Sequence, residues 1–253
     1  MSTHHPRKRF GQHFLTDQHI IDKIVAAIDP HPKQNLIEIG PGLGAITLPV
    51  LALCQQLTVI ELDRDVIPIL QEKCTDIGTL NVIQADVLKM NFDKFGANLR
   101  LIGNLPYNIS TPLLFHLMKF HAQIQDMHFM LQKEVVDRLV AKPHSKDYGR
   151  LSVMMQFYCE MERCFNVPPG AFNPPPKVDS AVVRIIPKKH LPMVNADHLS
   201  DIVRLAFGQR RKTLSNALKP LLTKAQIEQC QINPQARAET LSVNDFIKLA
   251  QVY

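Results

Sequence analysis

Five short apolar runs, Leu36 to Ile39, Leu57 to Ile60, Leu80 to Ile83, Leu99 to Ile102 and Met127 to Leu131, constrain what this chain can fold into more than any other feature. They are too short for helices, and turn-forming or polar residues bound them, as expected of strands buried in a sheet. Helical patterns separate most of them. The expected architecture is therefore α/β, a doubly wound parallel sheet with helices on both faces. Ahead of the first run, Ile20, Ile21, Ile24, Val25 and Ile28 recur at helical spacing behind Thr16 and Asp17, and Asp29-Pro30 ends the pattern. One amphipathic helix is predicted there.

Further along, Thr111-Pro112 opens a helix through Phe120, with proline at a first-turn position, and residues 150–158 read as another buried helix. Glu160 to Val167 and Val178 to Ile186 read as strands of a closing hairpin. The linker from Pro168 to Pro176 is too rich in proline for a helix or a central strand, so a rigid loop is expected beside the sheet. After Pro187 and Pro192 helical patterns dominate. A boundary near residue 190 gives a large domain over 1–190 and a small all-helical C-terminal domain over 191–253, which a chain of 253 residues accommodates.

The net charge of +6 is concentrated at Arg7-Lys8-Arg9, Lys188-Lys189 and Arg210-Arg211-Lys212. A polyanionic partner fits that clustering, and so do merely solvated basic faces. The five cysteines form no CxxC pair and lack the companion ligands of a tetrahedral metal site, which leaves reduced thiols in a cytosolic protein as the simpler reading. No apolar segment follows the basic start, and the most apolar stretch, residues 45–54, is too short to cross a bilayer.

The residues that end the runs carry the chemistry. Glu38-Ile39-Gly40-Pro41-Gly42-Leu43-Gly44 lets the backbone approach a ligand and aims a helix N-terminus at it, but its last glycine comes one residue too early for the dinucleotide pattern. A tight turn without a ligand is the plainer alternative. Glu61, about 20 residues on, is placed to accept from ribose hydroxyls, or is a solvated loop acid. Asp86 could accept from the exocyclic amine of a bound adenine, or cap a helix. Asn104-Leu105-Pro106-Tyr107 suits a planar amine: two carbonyl-type acceptors, a stiffening proline and a flat ring. An unpaired or flipped adenine is the matching guest.

With these motifs the chain resembles the ribosomal RNA adenine N6,N6-dimethyltransferases, most of all the bacterial small-subunit (16S) enzymes. The resemblance runs nearly end to end and rests on Arg9-Phe10-Gly11-Gln12-His13-Phe14-Leu15, Glu38 to Gly44, Asn104 to Tyr107, Phe172 to Ser180, and Phe207 to Leu214. It implies a Rossmann-like class I methyltransferase sheet that uses S-adenosylmethionine and no metal. By this resemblance His13, Leu15 and Gly40 surround the methionine part of the cofactor, Glu61 takes the ribose, Asp86 the adenine, and Asn104 bridges cofactor and target. Many relatives carry Asn where His13 stands, a change that a main-chain contact tolerates.

Asn104, Leu105, Tyr107 and Phe172 form the implied catalytic set, with Phe172 as a second aromatic wall. Read from the residues alone, Phe172 is a loop anchor packed on the core. Arg210, Arg211 and Lys212 are the expected RNA-phosphate contacts. The implied partner is 16S rRNA in an immature 30S particle, met by a monomeric cytoplasmic enzyme that makes N6,N6-dimethyladenosine at two adjacent adenosines near the 3′ end. The competing readings are a large-subunit rRNA methylase of the antibiotic-resistance type and an RNA-binding assembly factor with dispensable methylation. An NAD dehydrogenase ranks below both, because of its different glycine spacing.

Overall fold

The computed structural model describes residues 13–209 and 212–253. Arg7, Lys8, Arg9, the rest of the segment to Gln12, and Arg210 and Arg211 lie outside the described residues. In chain order the elements are β1 (Phe14–Leu15), α1 (Gln18–Ile28), β2 (Asn35–Ile39), α2 (Thr47–Cys54), β3 (Gln56–Glu61), α3 (Ile67–Cys74), β4 (Thr79–Gln84), β5 (Leu99–Asn104), α4 (Ser110–Met118) and β6 (Ile124–Gln132). There follow α5 (Lys133–Leu139), α6 (Arg150–Tyr158), β7 (Cys159–Val167), β8 (Phe172–Asn173), β9 (Ser180–Pro187), α7 (Ala196–Gly208), α8 (Leu214–Ala217), α9 (Lys224–Gln229) and α10 (Val243–Gln251).

All five predicted runs are strands of one seven-stranded sheet, ordered β4-β3-β2-β5-β6-β9-β7. The pairs β2–β3, β2–β5, β3–β4 and β5–β6 are parallel, and β9 runs antiparallel to β6. Sequence order reverses between β2 and β5, so a crevice opens outside their carboxyl ends, where sheets of this kind take ligands. Gly103 in β5 lets those two strands close up: a Cβ there would collide with the Ile39 carbonyl oxygen.

Helix α1 starts on Asp17, whose side chain accepts from the Ile20 N–H, and ends at Asp29 in the left-handed region. Its last carbonyls are taken up by Arg100, at the start of β5. The guanidinium donates to the Ile28 oxygen at 2.6 Å, to the Asp29 oxygen at 3.2 Å and to Gln34 Oε1 at 2.8 Å. Its Nε meets both Asp126 oxygens, at 3.0 and 3.2 Å. The buried faces of α1 and α2 join Leu57, Val59, Ile102 and Phe172 in one core cluster.

One feature absent from the sequence reading is a separate two-stranded sheet, in which β1 pairs antiparallel with β8. The proline-rich linker is thus not wholly loop. Its Ala171 oxygen accepts from the Thr16 and Asp17 N–H groups at 2.8 and 3.2 Å, which fastens the segment before α1 to the far end of the chain's sheet region.

The chain divides into two compact units. The first runs to Val136 and includes Met161–Pro187; the second consists of Asp137–Glu160 and Lys188–Tyr253. The sequence reading put a single cut near 190, whereas α6 belongs with the C-terminal helices. Apolar periodicity along α6 cannot say which unit receives its buried face. In the second unit Tyr148 is buried, donates to the Leu241 oxygen at 2.9 Å and meets Phe207 edge-on, while Phe207 packs on Phe246.

Candidate active site

A cavity of about 660 Å³ in the first unit is lined by His13, Leu15, Gly40, Glu61, Asp86, Asn104, Leu105, Tyr107 and Phe172. Every residue singled out for cofactor or target thus borders one space. The strands explain the convergence: Gly40 follows β2, Glu61 ends β3, Asp86 follows β4 and Asn104 ends β5.

The glycine turn forms the floor. Gly40 and Gly42 take φ of 69° and 52°, a region that side chains disfavour, and the Gly40 N–H donates to the Ile60 oxygen at 2.9 Å. A Cβ on Gly40 would lie 3.9 Å from the Asn104 carbonyl oxygen, so the two turns face each other at near contact. Glu61 accepts from the Gly42 N–H at 3.2 Å and from those of Leu62 and Asp63 at 2.8 Å each. Four lone-pair sites minus three such bonds leave acceptor capacity for a hydroxyl. Asp86 fills the capping role considered for it and also lies at the cavity. It caps the short helical turn Val87–Lys89 by accepting from the Leu88 N–H, and it borders the cavity.

Glu38 is the residue that sequence reasoning noted only as part of the turn. It is 1% exposed, lines the cavity, and its Oε2 has no hydrogen-bond partner among the described residues. Burial pushes its carboxyl up to about 8, and the neighbouring Glu61 adds to the rise. With Glu38 protonated, the acids Glu61 and Asp86 outnumber the single lysine that lines the cavity among the described residues, Lys73, whose ammonium donates to the Leu43 oxygen at 2.9 Å, and the balance favours a cation with hydroxyl donors.

On the opposite wall the Asn104 Nδ2 donates to the His13 carbonyl at 3.5 Å, which leaves Oδ1 as the atom to accept from a ligand. The His13 ring makes contacts of its own. Nδ1 lies 2.8 Å from the Pro174 oxygen and therefore carries the proton, and the ring stacks on Tyr107 at 6.2 Å and 27°. The Leu105 N–H donates to the Met130 oxygen at 3.1 Å, and the Tyr107 hydroxyl lies 2.8 Å from Ser180 Oγ. Phe172 is 4% exposed and packs in the core while also bordering the cavity. Of the basic triplet only Lys212 lies among the described residues; it is exposed between α7 and α8. Among the described residues no group of three or more His, Cys, Asp or Glu could hold a metal ion, and none of the five cysteines forms a disulfide.

A sheet of this order, with a glycine turn and acids at successive strand ends, defines the class I S-adenosylmethionine-dependent methyltransferases. Its residues suit that cofactor, as the cation-favouring floor and the close-approach glycines show. The chain belongs to the ribosomal RNA adenine dimethylase family, whose pattern it matches over residues 3–253. It is 56% identical to a ribosomal RNA small subunit methyltransferase A of Xanthomonas axonopodis pv. citri, over 97% of this chain and 95% of the relative. A dimethyladenosine transferase from Plasmodium falciparum superposes with a TM-score of 0.80 at 29% identity, covering 94% of this chain and 96% of the other. The 23S rRNA methyltransferase ErmE has the same fold, with a TM-score of 0.74 at 23% identity and coverage of 94% and 98%.

Proposed function

We propose that this enzyme dimethylates N6 of two adjacent adenosines near the 3′ end of 16S rRNA, in an immature 30S particle, as a cytoplasmic monomer. The near contact between Gly40 and the Asn104 turn carries the reading, because it puts a donor floor and an amine-binding wall on one cavity. The small-subunit name of a 56% identical relative favours this substrate over large-subunit rRNA. In this reading His13, Leu15 and Gly40 border the methionine end, and Glu61 and Asp86 accept from ribose and adenine.

Bound S-adenosylmethionine supplies an electrophilic methyl group on its sulfonium. The target amine is a poor nucleophile, since its lone pair is delocalised into the ring, so orientation and preorganised dipoles carry the rate. Asn104 Oδ1 and the Leu105 carbonyl accept from the amine and stabilise the positive charge growing on nitrogen. Tyr107, with Phe172 as a second aromatic wall, fixes the ring plane. These residues would hold the N6 lone pair toward the methyl group that the cofactor would supply to it, the sulfur keeping the bonding pair, and one N6 proton would leave to solvent in each transfer. The helical C-terminal residues dock the RNA, with Arg210, Arg211 and Lys212 on phosphates.

The test is to incubate unmethylated small subunits, and separately bare rRNA, with labelled cofactor and to map the product. Label at two neighbouring adenosines of the particle is expected; label only on large-subunit RNA would overturn the reading.

A further inference from the structure

Tyr107 is held at its outer end. Its hydroxyl sits 2.8 Å from the Oγ of Ser180, which is fully buried at the first position of β9, in register with Gln132 of β6. The neighbouring backbone is pinned too, since the Asp179 oxygen accepts from the Lys133 N–H at 2.9 Å. The inner end of the same turn is tied to β6 through Leu105 and Met130. An anchor at each end leaves the phenol little freedom to tilt. Burial pushes the Tyr107 phenol above its ordinary range, so it stays protonated and serves as an anchor, not as a base. The segment that ends in Ser180 begins with Phe172, so one stretch of chain sets two of the aromatic borders of the cavity, Phe172 directly and Tyr107 through Ser180.

The two methyl transfers load this arrangement differently. An unmodified amine has two N–H groups, one for each acceptor at Asn104 and Leu105. After the first transfer one N–H remains, half of that polar grip is gone, and the ring's orientation rests more on the stacking wall.

We propose that Ser180 is a positioning residue that fixes the plane of Tyr107, and through it the target adenine, and that the second methyl transfer depends on it more than the first. The proposal rests on the reading of Tyr107 as the stacking wall. Removing one net hydrogen bond slows the second transfer about two- to tenfold and the first transfer less. N6-methyladenosine then accumulates as a visible product.

The experiment follows N6-methyl- and N6,N6-dimethyladenosine by mass spectrometry on unmethylated small-subunit particles, with wild type, Ser180→Ala, Tyr107→Phe, the double variant and Tyr107→Ala. Ser180→Ala should build up the monomethyl product with particle KM and calorimetric S-adenosylmethionine affinity unchanged. Tyr107→Phe should match it, and the double variant should be no slower than either single one. Should Ser180→Ala fail to fold, the Tyr107→Phe time course decides alone. A wild-type ratio of the two products, equal slowing of both steps, or additive losses in the double variant would each overturn the role of Ser180. A wild-type time course for Tyr107→Ala would instead overturn the reading of Tyr107 as a wall.

Discussion

Strand β5 carries a buried arginine near its start and a half-buried asparagine at its end, and the two ends are built on opposite principles. At its start Arg100 and Asp126 are paired, and the guanidinium is further spent on Ile28, Asp29 and Gln34, so its charge and donors are answered within the protein. At its other end Asn104 faces a cavity whose floor holds Glu38, with an oxygen that no described residue answers. A satisfied buried network specifies and holds the fold; an unanswered one marks a place kept for something else.

The comparison can be broken most forcefully at the satisfied end. Arg100→Ala strands the Asp126 carboxylate in the core and is expected to lower unfolding free energy by about 3–5 kcal/mol. Urea unfolding reads this, and cofactor affinity of the folded fraction should not move. Asn104→Ala should do the reverse, cutting single-turnover methylation roughly tenfold to a thousandfold by analogy with removal of an oriented transition-state dipole, at little cost to the urea midpoint. Normal turnover in that variant would erase the distinction between the ends.

Intermediate effects are expected for Glu61→Ala and Asp86→Ala. Each should weaken S-adenosylmethionine binding by about 1–3 kcal/mol in calorimetry. Unchanged affinity in both would remove them from the cofactor site.

The smallest effect sharpens the contrast by pH. Glu38 titrates at about 8 when folded against 4.5 when exposed, so the empty protein holds a proton there that the unfolded chain has released. Its contribution to stability is full below 4.5 and is lost as pH rises to about 8. His128 works the other way: burial lowers it to about 4, Asp126 opposing, so its contribution rises with pH from about 4 to its ordinary 6.5. Between 6.5 and 8 only Glu38 of the two remains. Over that interval the ligand-free wild type should lose stability by at most about 1.4 kcal/mol per pH unit from this site, and Glu38→Gln should flatten the slope. A parallel slope in the variant would show that Glu38 is ionised throughout.

Much of this site was legible because its parts sit where strands stop. Apolar runs mark β2 to β6, and the glycine, acid or Asn-Leu-Pro-Tyr that ends each of the first four is by that placement turned to one edge of the sheet. The clasp of β1 on β8 was not legible, since two-residue strands have no periodicity and the Ala171 carbonyl that receives Thr16 and Asp17 leaves no trace in side-chain pattern. Nor was the tie of Tyr107 to Ser180, 73 residues apart, which depends on β9 lying against β6. The unit to which α6 belongs is a tertiary choice, and an apolar helix face is compatible with either.

Gly103 has a further implication for anyone who reads function from tolerance to substitution. It borders β2 so closely that any side chain would drive into the Ile39 carbonyl, pushing the strand that ends in Asn104 away from the strand that leads to Gly40. A saturation library scored for methylation would therefore rank position 103 among the most intolerant, beside residues that touch a ligand. Its signature would be a loss shared by every replacement, alanine included, whereas a contact residue spares its chemical mimics. Among variants with altered target choice, then, change is expected at Tyr107 or Phe172 and never at 103.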